Sequence, residues 1–503
     1  MKNIAIIDLG SNSVRMIIMQ IQPNGAYKMI EQVKSMVKLS EGMWRDQRLQ
    51  EGPIQRTLYT LSLFNELMQV HHVEEVYPLA TAAVRNADNS DVFLERVHRD
   101  TQLDFRVITG EQEAYYDYLG GKGSLDYRDY LLIDTGGGST ELVLVREGKV
   151  KQSVSIPLGA ITLTEAHELA GTVSKEKLHE AQKAFGKAID EIKWLKQAKN
   201  LPIIGIGGTL RSLAKIHMQV EKLPLKRIHG LVIESHTLEG YIEKIQKMTL
   251  EERMEVEGIG KERAEVMIGG LIPIQYLLET LKPVSFIMSN KGLREGFFFE
   301  YYAKRVPHLP AVLEYSVENT LKNYQSNMRH HQHVAQLTMD IFDSLKETMG
   351  FTPQHQKWLR TAALLHDIGM HIDYFDHQDH SFYLILNTGI DGLSHEDLVK
   401  CAFIAGMHRI ERKLSVDWKT YHQYMDKEDY KIIKKLSLIL MIAEKIERRE
   451  SGVVKNISGQ ITDKEYIIEL ESHENLMLEI AALSNLEKAF RKNYKRQLRV
   501  KQK

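Results

Sequence analysis

Short apolar runs rich in β-branched residues punctuate the first part of the chain, and each ends in small or polar residues. Asn3–Gly10 reads N-I-A-I-I-D-L-G, and Tyr130–Gly137 reads Y-L-L-I-D-T-G-G. Each run continues to a serine, Ser13 or Ser139, and then to a second apolar run, Val14–Ile21 or Glu141–Val145. This pattern predicts a strand, a tight turn and a returning strand, made twice. The copies lie a domain apart, which predicts two related α/β domains rather than a solenoid. Between them, Gln50–Gln69 carries helical apolar spacing, Val76–Ala80 and Phe105–Thr109 read as strands, and Gly110 opens a helix. Further on, Ser174–Gln197 reads as a helix capped by Ser174. Leu201–Ile206 and Val284–Ser289 read as strands. Strands alternating with helices indicate α/β layers.

The pattern changes near Arg305. Val306-Pro307-His308-Leu309-Pro310 reads as a linker, and Ala311 to about Arg449 reads as helices enriched in histidine. Val453–Leu470 alternates like a hairpin, and Glu474–Leu498 reads as a final helix. The expected domains are 1–128, 129–305, a helical domain at 306–450, and a small α+β segment at 451–503.

Composition narrows the class. The 503 residues carry 43% hydrophobic and 26% charged side chains, as soluble globular proteins do. No apolar run is long enough to span a bilayer, and Met1-Lys2-Asn3 leads into a strand rather than a signal sequence. The single cysteine, Cys401, excludes an internal disulfide and fits a reducing cytosol. Net charge is −1, so neither a nucleic-acid nor a membrane partner is expected, and any phosphate site must concentrate positive field locally. Lys488, Arg491, Lys492, Lys495, Arg496, Arg499, Lys501 and Lys503 do so near the C-terminus, where a solvated helix end is the plainer reading. A long anionic chain could run past this stretch and across a homodimer.

The candidate chemistry is a phosphate grip. Gly10-Ser11-Asn12-Ser13 and Gly136-Gly137-Gly138-Ser139-Thr140 offer backbone N–H groups and hydroxyls with room for close approach. Either turn alone could be a plain hairpin, but each follows an aspartate, Asp8 or Asp134, at a strand end. A carboxylate beside phosphate repels it unless a cation intervenes. Asp8, Asp134 and Glu141 are therefore candidate ligands of Mg²⁺ or Mn²⁺; the alternative is that the aspartates cap their own turns. Hydrolysis needs a base to activate water and a cation to neutralise the phosphoryl group. Glu113 and Glu111 are candidate bases. Arg85 is a candidate clamp, and Arg15 a weaker one that would face away on its strand.

Asp8–Arg15, Thr81–Asn86, Gly110–Ala114 (G-E-Q-E-A), Asp134–Leu142, Gly205–Thr209 (G-I-G-G-T) and Gly292–Gly296 (G-L-R-E-G) resemble, in order, the exopolyphosphatase / guanosine pentaphosphate phosphohydrolase family. The resemblance implies two actin-like, ribonuclease-H-like domains with the active site between them. It also implies Mg²⁺-assisted removal of a terminal phosphate by water. It makes Glu113 the catalytic glutamate and Arg85 the phosphate-contacting arginine, with Gly207, Gly208 and Thr209 meeting the phosphate chain. The substrate would be inorganic polyphosphate or guanosine pentaphosphate (pppGpp), and the motifs do not separate the two.

In the helical half, His330, His366-Asp367, His380 and His408 stand out, and imidazole with carboxylate suits a second divalent metal. His330, His366 and Asp367 resemble the HD phosphohydrolase pattern, with Glu444 in place of its final aspartate. Longer members of the exopolyphosphatase family carry such an HD-like extension, often degenerate. Two readings stay open: a structural extension of the substrate channel, or a second active site with the first half as sensor. A sugar kinase and a non-catalytic alarmone sensor are further alternatives.

Overall fold

The computed structural model describes residues 1–43, 46–306, 311–409 and 414–503. Much of the expected linker, 307–310, lies outside them. The chain divides into two compact units: Met1–Pro23 with Tyr27–Val312, and Asn24–Ala26 with Leu313–Lys503.

The first unit holds two sheets. One contains β1 (Lys2–Leu9), β2 (Val14–Ile21), β3 (Tyr27–Ser35), β4 (Glu75–Ala80) and β5 (Arg106–Val107), in the order β3-β2-β1-β4-β5. The other contains β6 (Tyr130–Thr135), β7 (Thr140–Arg146), β8 (Lys149–Ile156), β9 (Ile203–Gly207), β10 (Val232–Glu234) and β11 (Ser285–Met288), in the order β10-β11-β9-β6-β7-β8. The sequence repeat thus becomes a repeat of topology. β1 pairs antiparallel with β2 and parallel with β4, just as β6 pairs antiparallel with β7 and parallel with β9. Parallel central strands need both faces covered, and their runs are accordingly apolar throughout. Ile4 to Ile7 and Tyr130 to Ile133 are all buried.

Two helices are exchanged between the sheets. Gly110–Lys122 comes from the first half of the unit, yet it packs on the second sheet through Ala114 and Tyr118. Leu293–Ala303 comes from the end of the unit, yet its Phe297 and Tyr301 rings lie 5.0 and 5.4 Å from Tyr77 of β4. Phe298 lies 4.8 Å from Tyr27 of β3. The two helices cross on glycine: a Cβ on Gly120 would sit 2.7 Å from the Gly292 carbonyl, and one on Gly296 would overlap the Tyr116 carbonyl. This crossing fixes the helix that carries Glu113.

The second unit is mainly helical through Lys427–Ile446 and then turns to sheet. β12 (Asn456–Ile461) and β13 (Glu465–Glu471) form the expected hairpin. The expected single helix over Glu474–Leu498 is instead two short helices, Met477–Ser484 and Glu487–Tyr494, followed by β14 (Gln497–Gln502), which pairs parallel with β13. Lys495 is left-handed, with φ of 59°, and ends the second helix. No described helix is long and apolar enough to cross a membrane.

Candidate active site

The two glycine–serine turns are built alike. β1 and β2 pair up to Leu9 and Val14, leaving residues 10–13 as the turn; β6 and β7 pair up to Thr135 and Thr140, leaving 136–139. Gly10 N–H donates to Ser13 O at 3.2 Å, and Gly136 N–H donates to Ser139 O at 3.0 Å. The turns face each other closely: a Cβ on Gly137 would lie 3.0 Å from the Ser11 Cβ, and one on Gly138 would lie 2.6 Å from its hydroxyl. Only glycine permits that approach. β9 ends at Gly207, whose φ of 103° turns the chain into the helix Gly208–Val220; a Cβ there would lie 2.8 Å from Asp134 Oδ1.

One cleft gathers Asp8, Gly10, Ser11, Asn12, Ser13, Glu113, Asp134, Gly136, Gly137, Gly138, Ser139, Gly207 and Gly208. Three other expected residues lie elsewhere. Thr140 donates its hydroxyl to the Leu158 carbonyl at 2.7 Å. Thr209 is buried beneath the cleft, against Gly270. Glu141 is buried behind the turn, where the Ser155 hydroxyl donates to it at 2.7 Å. Arg85 reaches the cleft through Glu113, to which it donates at 3.1 Å while its other bond goes to Ile108 O at 2.9 Å. Glu111 is exposed on the same helix. Arg15, expected to face away, lines the cleft and donates to Ser13 Oγ at 3.2 Å.

The site also contains residues that the sequence did not announce. Asp117 follows Glu113 by one helical turn and so shares its face. It is fully buried, lines the cleft, and neither carboxylate oxygen has a hydrogen-bond partner. Arg263 lies over Gly208, where any side chain would displace it. A second cavity of about 260 Å³ borders on Gly208 and Arg263 and adds Lys34, Arg211, Lys215 and Lys261.

Carboxyls crowd this cleft at high electrostatic cost. Burial, reinforced by Glu141, pushes Glu113 well above the usual carboxylate range against the pull of Arg85. Burial, reinforced most by the charge of Asp134, does the same to Asp117. Burial raises Asp8 and takes Asp134 to about 6; burial and then Asp134 take Glu141 to about 7. Across the cleft, burial lowers Arg263 and Arg211 to about 10, each further depressed by Arg15. Four carboxyls line the cleft, with Glu141 behind it, and both oxygens of Asp117 are orphaned; this set fits a hard divalent cation, whose charge would offset their repulsion.

The second unit assembles its own cluster. His330, His366, Asp367 and Glu444 converge as expected, with all donor atoms within 4.8 Å of one another. His408 joins Asp367, but its partner there is His377; His380 is not part of the group.

The profile of the Ppx/GppA phosphatase family matches residues 17–305, and the profile of domain III of that family matches residues 312–489. The chain belongs to this family. It is accordingly a phosphoric anhydride hydrolase. Among curated relatives, guanosine-5'-triphosphate,3'-diphosphate pyrophosphatases are 28% identical in Aeromonas hydrophila, over 78% of this chain and 77% of that protein, and 27% identical in Photobacterium profundum, over 93% and 91%. Among solved structures, the Aquifex aeolicus family member is 32% identical with a TM-score of 0.52, covering 61% of this chain and 99% of that one. An exopolyphosphatase from Cytophaga hutchinsonii shares the fold at 22% identity and a TM-score of 0.57, over 60% of this chain and 98% of that one.

Proposed function

We propose that this member of the family is an exopolyphosphatase, hydrolysing the terminal anhydride of inorganic polyphosphate with Mg²⁺ in a reducing cytosol. The observation that carries this reading is the cavity beyond Gly208. It continues the cleft with Lys34, Arg211, Lys215, Lys261 and Arg263 against one acid, Glu262, and no aromatic side chain stands among its described lining residues to stack a base. Such a passage suits a substrate that is charged along its whole length.

The mechanism is positioning and electrostatics. The N–H groups and hydroxyls of the two turns hold the terminal phosphates. Asp8, Asp117 and Asp134 line the cleft and would supply carboxylates for Mg²⁺, which when bound would neutralise charge on the phosphate oxygens, whereas Glu141 lies behind the turn. Water attacks the terminal phosphorus and gives its proton to Glu113. The bridging P–O bond breaks, and the shortened chain leaves with the electron pair. Burial raises the proton affinity of Glu113, which makes it a stronger proton acceptor than an ordinary carboxylate. Arg85 orients Glu113 and neutralises the phosphoryl group in flight.

A second reading keeps these residues and changes the substrate to pppGpp. It is favoured by the names of the curated relatives, which extend over both units. The test is phosphate release from long-chain polyphosphate and from pppGpp, with Mg²⁺, by wild type and Glu113→Gln. Faster release from polyphosphate supports the first reading and from pppGpp the second. Wild-type-like turnover by Glu113→Gln overturns the mechanism.

A further inference from the structure

The histidine cluster of the second unit is built from five separate segments. His330 lies in the helix Met328–Met349, and His366-Asp367 follows the helix Pro353–Leu365. His377 opens the helix His377–Asn387, His408 follows the helix His395–Gly406, and Glu444 lies in Lys427–Ile446. All four imidazoles are at least 96% buried.

The hydrogen bonds settle the tautomers. His366 Nδ1 lies 2.8 Å from Ala363 O, His377 Nδ1 2.9 Å from Tyr374 O, and His408 Nδ1 2.6 Å from Ala405 O. A carbonyl only accepts, so each Nδ1 carries the hydrogen and, in the neutral ring, each Nε2 presents a lone pair. This outer-shell arrangement orients an imidazole for a metal. The lone pairs converge. His377 Nε2 and His408 Nε2 lie 3.1 Å apart and reach Asp367 Oδ1 at 3.2 and 3.3 Å. On the other side, His366 Nε2 lies 3.1 Å from Glu444 Oε2 and 3.6 Å from Asp367 Oδ2, and His330 Nε2 lies 3.6 and 3.8 Å from the same two oxygens. Neither His330 nitrogen has a hydrogen-bond partner, and neither does Asp367 Oδ1. Acceptors that face acceptors in a buried site call for a cation between them.

We propose that this cluster binds two divalent first-row transition ions bridged by Asp367. One position is formed by His330, His366, Glu444 and Asp367 Oδ2, and the other by His377, His408 and Asp367 Oδ1. The four imidazoles select Mn²⁺, Fe²⁺ or Zn²⁺ over Mg²⁺. The phosphate cleft, with carboxylates and no imidazole, lacks that preference and suits Mg²⁺ or Mn²⁺. The two centres therefore differ in metal preference, and this proposal does not rest on the function assigned to the cleft.

The experiment loads the full-length chain with Mn²⁺, removes loosely held ions on a desalting column, and measures metal by mass spectrometry and the Mn²⁺ signal by electron paramagnetic resonance. Wild type should retain two ions per chain with an exchange-coupled signal. His377→Gln should retain one uncoupled ion, and Asp367→Asn should lose the coupling and most of the metal. Asp134→Asn, in the cleft, should retain both. Circular dichroism selects variants that keep wild-type helicity, and His408→Gln replaces His377→Gln if the latter unfolds. Fewer than two retained ions in wild type, or a coupled pair that survives both His377→Gln and His408→Gln, overturns the proposal.

Discussion

Replacing Glu141 with glutamine tests the electrostatic cost of the cleft directly. The carboxyl is 1% exposed and holds its proton up to about pH 7, against an ordinary value of 4.5. The folded protein therefore favours the protonated form more than the unfolded chain does. The stability associated with that proton is fully present below about pH 4.5 and is lost as the pH rises through about 7. At roughly 1.4 kcal/mol for each tenfold change in proton affinity, the loss is about 3 kcal/mol in metal-free protein. Glu141→Gln keeps the shape, can still accept from Ser155, and cannot ionise. In a chelator, its thermal midpoint relative to wild type should rise by about 6 °C on going from about pH 5 to about pH 8, taking about 2 °C per kcal/mol. Differential scanning calorimetry of the first unfolding transition measures this. Adding Mg²⁺ at the higher pH should rescue wild type more than the variant. A midpoint difference that is the same at both pH values would refute the reasoning.

The other predictions concern turnover and packing. Glu113→Gln should lower phosphate release by roughly 10²–10⁴-fold while retaining substrate, as judged by equilibrium binding. Asp117→Asn should raise the Mg²⁺ concentration needed for half-maximal activity by roughly 10–100-fold in a metal titration. Arg263→Ala should raise KM for long chains more than it lowers kcat, measured over a series of chain lengths. Gly296→Ala should force the crossing helices apart at a cost of about 1–3 kcal/mol and lower kcat as Glu113 moves, read by thermal melts and steady-state kinetics.

The duplicated turns were legible in the sequence because their information is local. A strand ending in Asp-x-Gly followed by serine dictates its own hairpin, and two copies dictate a pair. Asp117 carried a usable signal, since a residue four after Glu113 must share its face. Arg263 carried none: no periodicity connects it to Gly208, and only tertiary packing brings it there. That His377 joins the cluster in place of the expected His380 was hidden for the same reason. Both lie in the first turn of one helix, and the Tyr374 carbonyl, outside that helix, is what orients the former. β14 was hidden because its residues, Q-L-R-V-K-Q, continue a basic helical pattern, and only the left-handed Lys495 breaks it.

The exchanged helices bear on how this protein is made. The chain emerges from the ribosome in order, so β3 and β4 are complete long before residues 293–303 arrive to meet Tyr27 and Tyr77. The first sheet must wait, with an aromatic face uncovered, while the whole second sheet is synthesised. Folding of this unit is thus a late, long-range closure. Expressing 1–128 alone should give an aggregating fragment, and adding 129–312 in trans should restore its solubility.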